Sequence, residues 1–170
     1  MFFYCSDIDD PLITRKIDFS DNVIPSANSS LTVGLFKLSR ILYNDDYVQL
    51  VIDLLKNIKT YAMNNPIYHS YWLIAASYLT FPYYEIGIVG DECETRKSEI
   101  TKKYLPNVIL FGSKKEGTLD ILKDKNVNNK TIIYVCENHI CNLPVENFDS
   151  ALKQIKKWNE NFSGINRVFD

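Results

Sequence analysis

Cys136 and Cys141, with His139 between them, are the residues whose types and spacing best suit chemistry. Five extended residues span about 16 Å, whereas the Cα atoms of a disulfide lie about 5.5 Å apart, so the pair can bond only if the chain turns near Asn138. Two thiolates and an imidazole could instead bind zinc, with Cys93 as a further ligand. The spacing leaves structural thiols, a redox-active disulfide and a metal site open, and we take Cys136 and Cys141 as redox candidates.

No conventional catalytic constellation accompanies these cysteines. Their spacing is not the C-x-x-C of dithiol oxidoreductases. Only two histidines are present, His69 and His139, and neither joins a serine and an acid at a recognisable spacing. No glycine-rich phosphate-binding motif occurs. We therefore predict no cofactor and no metal, leave the catalytic residues unknown, and expect no turnover by this chain alone.

A second group of polar side chains precedes the first long helical pattern, around Pro25. Proline suits a first helical turn, and serine and asparagine are common N-cap residues. The unpaired backbone N–H groups of such a helix start can bind an anion or a sugar hydroxyl, or the chain can cap itself. Our substrate-binding candidates in this stretch are Asp21, Asn22, Ser26 and Asn28.

Three amphipathic helices are predicted to follow this stretch. Apolar residues recur at helical spacing up to about Tyr43, then up to about Tyr61, and again over about residues 67–79. The short connections at Asn44 and Pro66 favour antiparallel hairpins. Three helices with this much apolar surface do not close a bundle among themselves. We therefore expect self-association or packing on an N-terminal region outside this sequence.

The hydrophobic period changes after Pro82. Apolar runs predict three strands, at residues 85–89, 107–111 and 131–135. Helical patterns are predicted at residues 94–104, more weakly at 118–123, and after Asn147. Alternation of strands and helices favours right-handed crossovers and a parallel sheet.

These patterns predict an α+β fold in two segments. Residues 1–82 form antiparallel α-hairpins with an extended lead-in, and residues 83–170 form a small, three-stranded, mainly parallel α/β unit. Both segments are short enough to share one core.

Composition narrows the classes of partner. The 170 residues carry a net charge of −2, so no basic field favours nucleic acid or an anionic membrane. No apolar run is long enough to span a bilayer, and the apolar start of the chain lacks the basic region of a signal peptide. Four cysteines do not make a secreted disulfide framework. We predict a cytoplasmic protein that binds neither nucleic acid nor membrane.

Four segments in order resemble a known family. They are Asp21-Asn22-x-x-Pro25-Ser26-x-Asn28-Ser29, Ile88-Val89-Gly90-Asp91, Leu105-Pro106-Asn107-Val108 and Tyr134-Val135-Cys136-Glu137-Asn138-x-x-Cys141-x-x-Pro144-Val145. The sequence resembles the C-terminal region of the thioredoxin-domain-containing family that includes spermatogenesis-associated protein 20. The resemblance implies an N-terminal thioredoxin-like domain, then a helical toroid similar to N-acylglucosamine 2-epimerases and six-hairpin glycosidases, and a small α/β portion near the end.

This sequence has neither the thioredoxin domain nor the earlier hairpins of that family. The resemblance therefore implies a fragment of a carbohydrate-enzyme-like protein with a partial α/α toroid, not catalytic alone. Loops near inner-helix ends line the cavity of related toroids, which makes the four candidates between Asp21 and Asn28 the expected site for sugar binding or isomerisation. A thiol redox switch at Cys136 and Cys141 is the alternative function.

Overall fold

The computed structural model describes residues 1–10, 13–125 and 130–155. These residues contain five α-helices, a short 3-10 helix and a four-stranded mixed sheet, which confirms the predicted α+β class. They form two compact units. The helical unit comprises Met1–Ser39 and Asn44–Thr80, and the sheet unit comprises Arg40–Tyr43 and the described residues from Phe81 onward.

Three helices form most of the helical unit: α1 (Ala27–Leu42), α2 (Asp45–Asn64) and α3 (Ser70–Thr80). The last residues of α1 belong to the sheet unit. The side chain of Asn44 caps α2 by accepting a hydrogen bond from the backbone N–H of Asp46. The buried side of α2 carries Val51, Leu54, Leu55, Ile58 and Ala62, the apolar stripe that the sequence predicts.

The third helix begins later than its apolar pattern indicates. The prediction started it at about residue 67, but Pro66–Tyr68 form a 3-10 helix and α3 starts only at Ser70. Proline at the start of the short helix supplies no backbone N–H, and the N–H of His69 bonds to the carbonyl of Pro66. The three helices agree with the predicted hairpins, while the toroid stays a prediction.

The sheet has the strand order β2-β1-β3-β4. The strands are β1 (Tyr84–Val89), β2 (Val108–Ser113), β3 (Ile132–Glu137) and β4 (Ile140–Cys141). Helix α4 (Cys93–Thr101) connects β1 to β2, and these two strands are parallel. Strand β3 pairs antiparallel with both β1 and β4, and α5 (Phe148–Gln154) follows the sheet.

The sheet therefore differs from the three-stranded, mainly parallel sheet that we predicted. The residues predicted as a weak helix, 118–123, form turns instead, in which Leu119 accepts hydrogen bonds from the backbone N–H groups of Leu122 and Lys123. A parallel return to the sheet needs a crossover, which is usually a helix. In its absence β3 runs antiparallel to β1. Strand β4 is only two residues long, too short for its apolar pattern to be recognised.

All six residues of β1 are buried, because this central strand packs on both faces. One face forms an apolar cluster with α4 and α5 that includes Ile86, Ile88 and Ile133. The other face forms a second cluster that includes Tyr134 and Cys136. Glu85 also lies on β1, in register with Cys136 on β3. The sheet core thus contains a carboxylate directly across from one of the candidate cysteines.

Candidate functional site: the disulfide hairpin

Strands β3 and β4 form a hairpin whose two turn residues are Asn138 and His139. Both have positive φ, 49° and 67°, as a two-residue type I′ turn requires. This is the turn that a bond between Cys136 and Cys141 requires. It brings Cys136 and Cys141 into register on neighbouring strands, where they form a disulfide with Cα atoms 3.8 Å apart.

The two sulfur-bearing residues differ in their access to solvent. Cys136 is 0% exposed and packs in the apolar cluster on its face of the sheet. Cys141 lies on the short outer strand and is only partly buried. Its neighbours Ile140 and Leu143 are exposed. Cys141 is therefore the more accessible residue of the pair.

A lysine lies against the accessible sulfur. The Lys125 Nζ atom is 3.1 Å from Cys141 Sγ and 4.5 Å from the centroid of the Tyr134 ring. The Tyr134 hydroxyl donates a hydrogen bond of 2.9 Å to the backbone carbonyl of Lys125, which fixes this residue beside the hairpin. Burial lowers the pKa of Lys125 and raises the pKa of Tyr134. Nothing in the sequence indicated Lys125, because no motif relates it to Cys141.

Glu85 is a wholly buried carboxylate beneath this hairpin. Its Oε1 lies 3.6 Å from Arg40 Nη1, and its Oε2 accepts a long, 3.4 Å hydrogen bond from the backbone N–H of His139. Desolvation raises the pKa of Glu85 to about 6, although the Arg40 charge acts in the opposite direction. The one sequence signal for this group is an acidic residue at the start of the apolar run predicted as a strand at residues 85–89.

The tip of the hairpin contacts the end of α1. Arg40 Nη1 donates a 3.0 Å hydrogen bond to Asn138 Oδ1. The rings of Tyr43 and His139 stack with centroids 3.9 Å apart and planes inclined by 15°. Burial raises the pKa of Tyr43 to about 12, with a smaller contribution from the nearby Glu85. These contacts hold the turn independently of the disulfide, and they place His139 as a stacking residue of the turn.

The polar stretch before α1 is organised differently from a cavity wall. Asp21 is buried, and its Oδ1 accepts hydrogen bonds from the Ser26 backbone N–H (2.9 Å) and the Ser29 hydroxyl (2.6 Å). Its Oδ2 accepts a 2.8 Å bond from the backbone N–H of Tyr71, the second residue of α3. Ser26 Oγ accepts the Ser29 N–H as an N-cap does. The Asp21 carboxylate thus joins the starts of α1 and α3.

The side chain of Asn28 also forms hydrogen bonds within the protein. This buried side chain accepts a hydrogen bond from the Phe2 backbone N–H and donates to the carbonyls of Phe2 and Asp18. Asn22, by contrast, is exposed. Three of the four substrate-binding candidates therefore use their polar atoms within the protein: Asp21 and Ser26 at the start of α1, and Asn28 in hydrogen bonds to the extended lead-in. Sugar binding at this stretch stays a prediction.

Three further residues with titratable side chains, His69, Cys93 and Asp91, have surroundings of their own. His69 is buried with its Nδ1 2.8 Å from the carbonyl oxygen of Asn65. Cys93 is a buried free thiol in the cluster with α4 and α5, on the face of the sheet opposite Cys136. Asp91 lines a polar cavity of about 350 Å³ at the end of β1. Most of that cavity's charged groups are paired, as in the Lys130–Glu146 bridge of 2.6 Å.

The described residues contain neither a metal-binding cluster nor a helix suited to a membrane. No group of three or more histidine, cysteine, aspartate or glutamate side chains in residues 1–10, 13–125 and 130–155 is arranged to bind a metal ion. In the zinc alternative Cys136 and Cys141 would act as thiolates, but here their sulfurs bond to each other. No helix in the described chain is long and apolar enough to cross a membrane.

Comparison of the chain with protein-family models, curated proteins and solved structures gave no significant match. The resemblance to the thioredoxin-domain-containing family therefore stays a prediction, and function has to be argued from the geometry of the site.

Proposed function

We propose that this protein carries a reversible thiol–disulfide switch at Cys136 and Cys141. The observation that carries the proposal is the Lys125 amine 3.1 Å from Cys141 Sγ, a partly exposed sulfur on a short edge strand. A neighbouring cation stabilises a thiolate, and partial exposure admits a reagent, which together characterise reactive cysteines. Structural cysteines are more often buried and inert.

A purely structural role accounts poorly for the bond. A disulfide stabilises a fold mainly by closing a loop, and a loop as short as residues 136–141 contributes only about 2 kcal/mol in the chain-entropy model. The hairpin is already specified by its turn, by the Arg40–Asn138 hydrogen bond and by the Tyr43–His139 stack. These contacts keep the two thiols close after reduction, which favours re-formation of the bond.

The switch exchanges two electrons and two protons with an external thiol pair. A dithiol reductant becomes a disulfide while Cys136 and Cys141 become thiols, and the reverse reaction restores the hairpin bond. Reduction leaves β4 held by its two residue pairs with β3 and by the hydrogen bond from the Asn142 N–H to the Val135 carbonyl. We expect the reduced form to exchange the amide hydrogens of residues 138–143 faster.

Equilibration in dithiol buffers of graded potential, followed by alkylation and peptide mass spectrometry, tests the switch. We expect one intramolecular Cys136–Cys141 bond that forms and breaks reversibly. The free cysteines Cys5 and Cys93 serve as internal controls, since neither should enter an intramolecular bond. Absence of the Cys136–Cys141 bond under mild oxidant would refute the proposal, as would a bond that no dithiol buffer reduces in the folded protein.

A further inference from the structure

We infer that Cys141 is the sulfur that exchanges with incoming thiolates, that Cys136 is the resolving sulfur, and that Lys125 is a positioning residue which holds Cys141 ready as a thiolate. The inference rests on the proposed switch and assigns a separate role to each of the three side chains. It also names the reacting partner by its chemistry, a thiolate, whether from a monothiol or from a dithiol.

Access decides which sulfur is attacked. Exchange requires a thiolate to approach one sulfur in line with the bond that breaks, so that sulfur needs open space on its far side. Cys136 is 0% exposed and lies within the apolar cluster with Tyr134, whereas Cys141 packs against the same cluster but remains partly exposed on the edge strand. An incoming thiolate can therefore reach Cys141, and the approach to Cys136 is blocked by the core.

The reaction then follows in two balanced steps. The incoming thiolate bonds to Cys141 Sγ, the Cys136–Cys141 bond breaks, and Cys136 leaves as a thiolate that takes a proton from water. A second thiolate attacks the incoming group's own sulfur in the mixed disulfide. That step releases the external disulfide and leaves Cys141 as a thiolate. Both electrons that reduce the protein come from the two external thiols.

Lys125 is placed to stabilise that final thiolate. Its Nζ lies 3.1 Å from Cys141 Sγ, and its own position is set by the Tyr134 ring and hydroxyl. The ammonium is partly desolvated there, as its lowered pKa indicates, so a neighbouring negative charge benefits both groups. Two carboxylates lie near the hairpin: Glu85 on β1 is in register with Cys136, and Glu137 at the end of β3 is in register with Ile140, so neither pairs directly with Cys141.

Alkylation of the reduced wild-type protein by iodoacetamide, with the rate at each cysteine followed by peptide mass spectrometry, tests the assignment. We expect Cys141 to react at least tenfold faster than Cys136 at pH 7. The rate at Cys141 should rise with a pH midpoint below the ordinary thiol value of about 8.5. The exposed Cys5 and the buried Cys93 provide reference rates in the same sample.

Lysine variants separate positioning from folding. We expect Lys125→Gln to raise the pH midpoint at Cys141 by about one pH unit and Lys125→Arg to preserve it, with the rate at Cys5 unchanged in both. An unchanged midpoint in Lys125→Gln with a wild-type melting temperature would overturn the role of Lys125. If Lys125→Gln does not fold, a shift of the midpoint in folded Lys125→Arg of a full unit or more would overturn it instead.

Single-cysteine variants test the order of attack with glutathione disulfide as the probe. Cys136→Ser should accumulate a mixed disulfide on Cys141, whereas Cys141→Ser should form at least tenfold less on Cys136. Equal capture by both variants, or faster capture by Cys136, would overturn the order while leaving a reversible switch intact. A wild-type bond that never cycles refutes the switch itself, so the two failures are distinguishable.

Discussion

Glu85 places a carboxylate in the middle of the sheet, where its protein partners only partly replace the hydrogen bonds that water would make to it. The Arg40 charge is 3.6 Å away and the His139 N–H is 3.4 Å away, both longer than a strong charge-assisted hydrogen bond. The pKa of Glu85 is therefore about 6, above its ordinary value of 4.5. A carboxyl that holds its proton more tightly when folded stabilises the fold at low pH and loses that contribution as the pH rises.

We expect the contribution of Glu85 to the free energy of unfolding to fall by about 2 kcal/mol between pH 3 and pH 7, which is the difference between the two pKa values expressed as energy. Glu85→Gln has no proton to lose in this range and should lack the decline. Denaturant titrations at several pH values measure the free energy of unfolding of both proteins.

The exposed Glu94 provides a matched control, since Glu94→Gln removes a carboxylate from the surface of α4 and should keep the wild-type pH dependence. Parallel curves for the wild type and Glu85→Gln would mean that this carboxyl titrates normally in the folded protein.

At the level of elements, Asp21 connects the starts of two helices through hydrogen bonds. The residue precedes α1 in the sequence, yet one of its carboxylate oxygens accepts the N–H of Tyr71 near the start of α3. A carboxylate at the N-terminal ends of two helices also interacts favourably with both helix dipoles. The polar stretch thus fixes the starts of two helices, and its composition alone identified only the first.

Asp21→Ala should lower the free energy of unfolding by about 3 kcal/mol, because it leaves buried donors from Ser26, Ser29 and Tyr71 without their acceptor. Asn22→Ala changes the exposed neighbour and should stay within about 0.5 kcal/mol of the wild type. Equilibrium denaturation of Asp21→Ala, Asn22→Ala and the wild type measures these differences in stability.

Equal stability of these two variants would contradict the structural role of Asp21. A thermal shift of the wild type with monosaccharides or N-acetyl sugars, lost in Asp21→Ala, would then support the sugar-binding alternative at this stretch.

At the scale of the whole molecule, the helical unit exposes several large apolar side chains. They include Val23, Ile24, Leu31, Met63, Ile67 and Ile74, each at least 39% exposed. Scattered exposed apolar residues are common, but a unit with this many has surface suited to association. Of these side chains, Leu31, Met63 and Ile74 lie on the three helices, and self-association of the helical unit stays a prediction.

We therefore expect the chain to self-associate at micromolar concentration, because association would remove part of this apolar surface from water. Sedimentation velocity over a range of concentrations measures it, and replacing Ile67 (79% exposed) and Met63 (66% exposed) with serine should weaken association. Glu94→Gln, on the sheet unit, serves as the control. A single monomeric species at every concentration would contradict the prediction.

Sequence alone determined the longer helices and the three longer strands, since local periodicity records which side of a helix or strand is buried; it missed β4 and the turns at residues 118–123. The leucine-rich pattern predicts α1, the apolar runs predict β1 to β3, and a bond between Cys136 and Cys141 requires a turn near Asn138. Each of these inferences depends on residues close together in the chain.

Tertiary structure decided the direction of β3, the surroundings of Glu85 and the position of Lys125 beside Cys141. Each depends on residues distant in sequence: β3 pairs with β1, Glu85 lies near Arg40, and Lys125 reaches β4. Periodicity records burial but not the partner, so a polar residue's neighbours are known only once strands are paired. For that reason the sequence pointed to the cysteine pair, whereas the structure singled out Cys141 as the accessible sulfur.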